Sequence, residues 1–192
     1  MKKYFSLTAS FLMLFISCSG YSLDDTVFIP DPEDSNLPAY TEWGYNSFGA
    51  IYERDYFVSS STVVPCKIIY NEGRLEFFLL GHLKYSGDMS LHFSFPSSPM
   101  TDWRDLLSLH GTVIDLTGDG CEVEWKHSVR PLPGSHLTFS RVQLLRVDGV
   151  ENRVILSGRF DIKFLMDGQP QTLSNGRFDL GINKDFYSYS FQ

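Results

Sequence analysis

His82, His92, His110, His127 and His136 are the side chains in this sequence best equipped to bind a metal or move a proton at neutral pH. None is spaced as HxH, HxxxH or HExxH, the patterns that put two ligands on one face of a strand or helix. His82 and His92 would come together only if their strands pair with the two rings opposite. Asp115, Thr117 and Asp119 have the first, third and fifth places of a calcium-loop pattern. That loop needs a bidentate glutamate at its twelfth place. Lys126 stands there, so the segment reads as a turn. Ser61 and Ser108 lie outside any G-x-S-x-G elbow, and no glycine-rich phosphate loop is present. A glycosidase pair of carboxylates can come from distant strands, but no acidic residue here sits in an apolar run that would raise its pKa. The expectation is a non-enzymatic chain with no metal and no cofactor.

Cys18 is the residue with the clearest chemistry. Lys2 and Lys3 precede an apolar run from Tyr4 to Ile16, broken only by Ser6, Thr8 and Ser10. The run is shorter than the roughly 20 residues of a permanent span and has the flanks of a secretory leader. It closes on Phe15-Ile16-Ser17-Cys18, which resembles the lipobox of bacterial lipoproteins. The resemblance implies cleavage before Cys18, so that residues 1–17 are a signal peptide, and a diacylglyceryl group on the Cys18 sulfur. Each buried methylene contributes about 0.8 kcal/mol, and stable anchoring takes at least two chains. A lipidated Cys18 would therefore hold the protein to a membrane of the cell envelope.

Composition narrows the partners. The chain has 192 residues, 16 basic and 23 acidic. Loss of Lys2 and Lys3 with the leader leaves 14 basic against 23 acidic, a net charge of −9. An acidic surface without basic patches repels phosphate backbones, so no nucleic-acid partner is expected. Cys66 and Cys121 lie in apolar runs, where a free thiol packs as a small hydrophobe. An oxidising compartment would also permit a 66–121 disulfide.

Residues 18–42 carry Pro30, Pro32 and Pro38 with acidic residues from Asp24 to Glu42. Such a segment buries little apolar surface, so a flexible, extended tether is expected. From Trp43 to residue 192 the texture is that of a single β domain. Strands are expected over Val63 to Tyr70, Leu75 to Leu83 (apolar on both faces), Met89 to Phe95, Leu137 to Val147, Val154 to Met166, Gln171 to Ile182 and Phe186 to Phe191. Asp148-Gly149 and Asp167-Gly168 are turn signals. Val113 to Thr117 and Cys121 to His127 read as two arms of a hairpin around Gly118-Asp119-Gly120. One helix is expected over Thr101 to Leu107, with Thr101 as its cap. The fold class is mainly β, an antiparallel sandwich or barrel of about ten strands with one short helix.

Gly-Arg-Phe-Asp occurs twice, at Gly158 to Asp161 and Gly176 to Asp179. Two copies flanking a turn predict a hairpin with Phe160 and Phe178 in the core. Arg159, Asp161, Arg177 and Asp179 would then form cross-strand charge pairs on one solvent face. The start Gly44-Tyr45-Asn46-Ser47-Phe48-Gly49, with Ser157-Gly158-Arg159-Phe160 and Asn175-Gly176-Arg177-Phe178-Asp179 near the end, resembles small uncharacterised lipoproteins of Bacteroides-type bacteria. The acidic pair Asp24-Asp25 after the cysteine is similar to their surface-export signals. The resemblance implies an outer-membrane location and a β fold, and brings no activity with it.

Aromatic residues make up 15% of the chain. Either they fill the core, or some remain outside as a surface for sugar rings. The functional expectation is a lipid-anchored envelope protein whose β domain binds a glycan or an envelope partner. The alternatives are a structural subunit of an envelope assembly and a lipocalin-like carrier with an enclosed cavity.

Overall fold

The computed structural model describes residues 22–59 and 64–190. The leader, Cys18, Val63 and Phe191 lie outside the described residues. The strands are β1 (Ser47–Tyr52), β2 (Asp55–Ser59), β3 (Cys66–Asn71), β4 (Arg74–Leu83), β5 (Gly87–Pro96), β6 (Val113–Asp115), β7 (Glu122–Trp125), β8 (His127–Val129), β9 (His136–Val147), β10 (Val150–Met166), β11 (Gln169–Ile182) and β12 (Tyr187–Ser190). They form one sheet in the order β6-β9-β10-β11-β1-β2-β4-β5-β7-β8, with β3 and then β12 branching from β4. Pairing is antiparallel except between β12 and β3.

The sheet curls into a half-barrel. After β8 the chain returns to β10 through a bridge between Pro131 and Phe164, and the Leu132 amide donates to Lys163 O at 2.7 Å. Phenylalanines from the two walls meet in the middle: Phe77 lies 5.8 Å from Phe139 and 5.4 Å from Phe178, and Phe93 lies 5.7 Å from Phe160. These edge and tilted contacts are the favourable geometries for aromatic pairs.

The turns follow from local chemistry. Asp148-Gly149, Asp167-Gly168 and Glu72-Gly73 all have positive φ at both residues, the backbone twist that matches a two-residue hairpin to its strands. The helix is a 3-10 helix, Trp103–Leu109. Its cap is Asp102 rather than Thr101, because the Asp102 side chain accepts from the Arg104 amide at 2.9 Å while Asp105 accepts from the Asp102 amide.

Four sequence expectations are corrected. β4 is buried on one face only: Leu75, Phe77, Leu79 and Leu83 point in, while Phe78 and Leu80 point out, Leu80 being 46% exposed. Residues 113–127 do not form a hairpin. β6 adds to β9 and β7 adds to β5, because each short arm finds a longer strand to complete. The alternation of aromatics and serines predicts a last strand that lays its aromatics on the core, but there Tyr187 is buried and Tyr189 faces outward. The fourth correction concerns residues 22–42, which are not an extended free tether. They lie as a strap across the outer face of β1, β10 and β11. Leu37 is 1% exposed beneath Gly49, Pro30 bridges to Pro38, and the Val27 amide donates to Tyr45 O at 2.8 Å.

Polar groups on the sheet hold that strap. Asp179 Oδ2 accepts from Thr41 Oγ1 at 2.5 Å and from the amides of Trp43 and Tyr45. Its Oδ1 accepts from the Gly44 amide at 2.8 Å and from Ser157 Oγ at 2.9 Å. Arg153 donates to Leu23 O and pairs with Asp24, and Asn46 donates to Leu23 O and Asp25 O. Composition misses this because it counts the strap's own apolar residues and not the unpaired groups on the sheet that need partners.

Phe160 and Phe178 are both in the core, as expected, but the charge pairing of the repeat differs. Arg159 stands opposite Arg177, and Ser157 opposite Asp179. The strap separates the two like charges: Arg177 pairs with Asp31, and the Arg159 guanidinium lies 4.5 Å over the Tyr40 ring.

Candidate functional site

A bulge in β9 begins the site. Arg141 pairs with Ser157 and Phe139 with Gly158, so Ser140 is an extra residue in the strand. Bulges bend a strand and re-aim its side chains. Here Phe139 stays in the core while Ser140 and Arg141 both face outward. Gln143 follows on the same outer surface.

The strap supplies the facing wall. Asp179 fixes the backbone from Trp43 to Tyr45, and Gln143 Nε2 donates to Glu42 O at 2.8 Å. Between strap and strand lies a cleft of about 430 Å3 lined by Tyr40, Thr41, Glu42, Trp43, Arg141 and Gln143. Trp43 is 72% exposed beside it. The remaining lining side chains brace one another. Tyr40 OH donates to Glu42 Oε1 at 3.1 Å, and Arg141 Nε donates to Gln143 Oε1 at 3.1 Å and stands 3.5 Å from Glu42. Burial, with the Glu42 carboxylate alongside, holds the Tyr40 phenol above its ordinary pKa against the opposing effect of Ser140 and Arg159. Tyr40 is therefore a neutral donor throughout the physiological range. An exposed indole, a phenol and planar guanidinium and amide groups make a surface that can stack on a flat apolar face and hydrogen-bond its rim.

No family model, curated protein or solved structure matches the chain. The functional reading therefore starts from the geometry.

The histidines do not converge. His82 meets Asp88 at 3.2 Å, and His92 opposes Phe78 rather than His82, stacking on its ring with centroids 4.0 Å apart. His110 Nδ1 accepts from the Val142 amide at 3.0 Å, and His136 lies beside Gly134 O. Among the described residues no three His, Cys, Asp or Glu side chains gather in a way that would hold a metal ion. Asp115 ties its own turn by accepting from Thr117 N and Oγ1. Cys66 and Cys121 are free thiols.

A second hollow, of about 280 Å3, lies between the 3-10 helix and the ends of β10 and β11, lined by Trp103, Arg104, Glu151, Asn152, Asn183 and Lys184. Its arginine is already committed: Arg104 covers Trp103 at 4.5 Å and is held by Glu151 at 2.7 Å and Asp102 at 2.8 Å.

Sequence reasoning did not find the cleft. Tyr40, Thr41 and Glu42 fell in the segment read as a tether, and Arg141 and Gln143 in a regular strand. The one visible signal was Trp43, a large aromatic next to a proline-rich acidic stretch with no apolar periodicity to bury it.

Proposed function

We propose that this is a lipid-anchored cell-envelope protein, held at the outer membrane through an acylated Cys18, whose β domain binds a glycan without catalysing a reaction on it. The observation that carries the glycan reading is Trp43, which stands 72% exposed at the mouth of a polar cleft. An exposed indole leaves a large apolar face available for burial against a ligand. A sugar ring offers an indole an apolar C–H face, and its hydroxyls match Arg141, Gln143, Thr41 and Glu42 around the rim. The lipocalin-like alternative needs a hollow interior, and the phenylalanines of both walls occupy this one. The assembly-subunit reading would rest on edge strand β6, whose Val113 is 64% exposed.

Three experiments test the reading. Labelled palmitate should enter the wild-type chain in cells and not a Cys18→Ser variant. Proteinase treatment of intact cells should remove the domain while periplasmic controls survive. Insoluble polysaccharides should retain the protein and lose it on Trp43→Ala substitution. Retention unchanged by that substitution would end the proposal for this cleft.

A further inference from the structure

The lining of the cleft carries one guanidinium and one carboxylate, Arg141 and Glu42, in a molecule that is acidic overall. The chain has a formal net charge of −7, yet Arg141 lines the cleft and Arg159 covers the ring of Tyr40, another lining residue. Three of the arginines elsewhere are tightly matched to acids, Arg104 to Asp102 and Glu151, Arg153 to Asp24, and Arg177 to Asp31, whereas Arg54 and Arg130 stand exposed in solvent. The pair at the cleft is under-used. Arg141 spends its Nε on Gln143, and its two terminal nitrogens donate to no protein acceptor among the described residues. Arg159 covers Tyr40 and makes neither hydrogen bond nor ion pair among the described residues. The single opposing carboxylate, Glu42, accepts from Tyr40 OH and sits on the Nε side of Arg141 at 3.5 Å.

A guanidinium presents five N–H groups in a fork that matches a carboxylate with two parallel hydrogen bonds. The β9 bulge aims one such fork outward beside an exposed indole, and its free edge is the one that a bidentate partner would use. Resting on the glycan reading of the cleft, we infer that the preferred ligand is an acidic sugar, a pyranose bearing a carboxylate, with its ring against Trp43 and its carboxylate on the terminal nitrogens of Arg141. Arg159, over the Tyr40 ring that lines the cleft, adds positive potential. Uronic and sialic acids share this chemistry, and the two probes below distinguish them.

The test is calorimetric titration of the full-length chain in detergent micelles with trigalacturonic acid, its methyl ester, sialyllactose and lactose. One acid should bind at least about tenfold more tightly than its uncharged counterpart, with an affinity that weakens as salt is raised. Arg141→Gln should abolish that preference and leave the binding of the uncharged sugar in place, whereas Trp43→Ala should weaken both. Glu42→Gln should tighten acid binding by removing the opposing charge. Equal affinity for acid and uncharged forms, or a preference that survives Arg141→Gln, overturns the acidic-sugar inference while leaving the glycan reading intact. Binding of uncharged sugars alone does the same. Absence of binding by all four overturns the inference, and the polysaccharide retention experiment then decides the glycan reading separately. Thermal unfolding of Arg141→Gln, whose side chain is half exposed, shows whether the variant is folded.

Discussion

The ring of Phe178 on β11 occupies the space in which a side chain at Gly158 on β10 would stand, and Phe160 stands in the same relation to Gly176. Each phenylalanine of the repeated Gly-Arg-Phe-Asp therefore packs on the glycine of the other copy. The repeat is a reciprocal packing device, and the missing side chains let both rings reach the centre of the half-barrel, where Phe178 meets Phe77 and Phe139.

Gly158→Ala should accordingly be among the most damaging single changes in the chain. The added methyl would overlap the backbone oxygen of Thr138 as well as the Phe178 ring, and a backbone atom in a sheet cannot turn away. We expect a loss of about 3 kcal/mol or more, beyond the usual range for overpacking. Gly176→Ala, which meets Phe160 O, should behave alike. Gly149→Ala has open space around it but a φ of 80°, and should lose only about 1 kcal/mol. Chemical denaturation of the three variants checks the ranking.

Asp179 should control the strap. It is 1% exposed and takes five hydrogen bonds, three from the amides of Trp43, Gly44 and Tyr45 at the end of the strap and two from the Thr41 and Ser157 hydroxyls. Asp179→Ala orphans those donors, at a cost of about 2–4 kcal/mol. Limited proteolysis should then cut the variant ahead of Asn46 under conditions that leave the wild type intact. Resistance equal to wild type would show that Leu37 and Arg153 hold the strap without it.

Acid should loosen the same segment. The Glu33 amide foremost, then the Asp34 amide and the Arg177 guanidinium, hold the Asp31 carboxyl below its ordinary value of 3.8. A depressed folded pKa gives stability that is fully present above the unfolded value and lost as pH falls through the folded one. Strap protection should therefore be constant from neutral pH down to about pH 4 and fall below it. Hydrogen exchange of the strap amides measures this, and Asp31→Asn should flatten the acid limb.

Thiol labelling should separate the two described cysteines. Burial alone pushes the Cys66 thiol well above its ordinary pKa, and burial chiefly raises that of half-buried Cys121. Because the thiolate is the reactive species, Cys121 should react slowly with maleimide in the native protein and Cys66 only on unfolding. Equal rates would contradict the packing of β3.

Trp43→Ala should leave stability within about 0.5 kcal/mol of wild type, as exposed positions do, while removing polysaccharide retention. A large stability loss would mean that the indole is a structural contact and not a presented surface.

Local pattern was enough for the β class, the aromatic core positions Phe160 and Phe178, and the Asp148-Gly149 and Asp167-Gly168 turns. Alternation with period two and the φ preference of glycine act within a few residues and leave their mark on the sequence. The sequence by itself also determined the acidic balance of the chain and its few cysteines. Tertiary structure alone decided which strands became neighbours, that Arg159 faces Arg177, and that residues 22–42 fold back as a strap. The strap depends on partners more than a hundred residues away, as when the Thr41 hydroxyl and the amides of Trp43, Gly44 and Tyr45 meet Asp179, and the facing of Arg159 and Arg177 depends on the register of the hairpin. The cleft belongs to the second class. It exists because one extra residue in β9 turns Arg141 outward and a buried carboxylate on β11 holds Trp43 across from it, and neither event has a local signature.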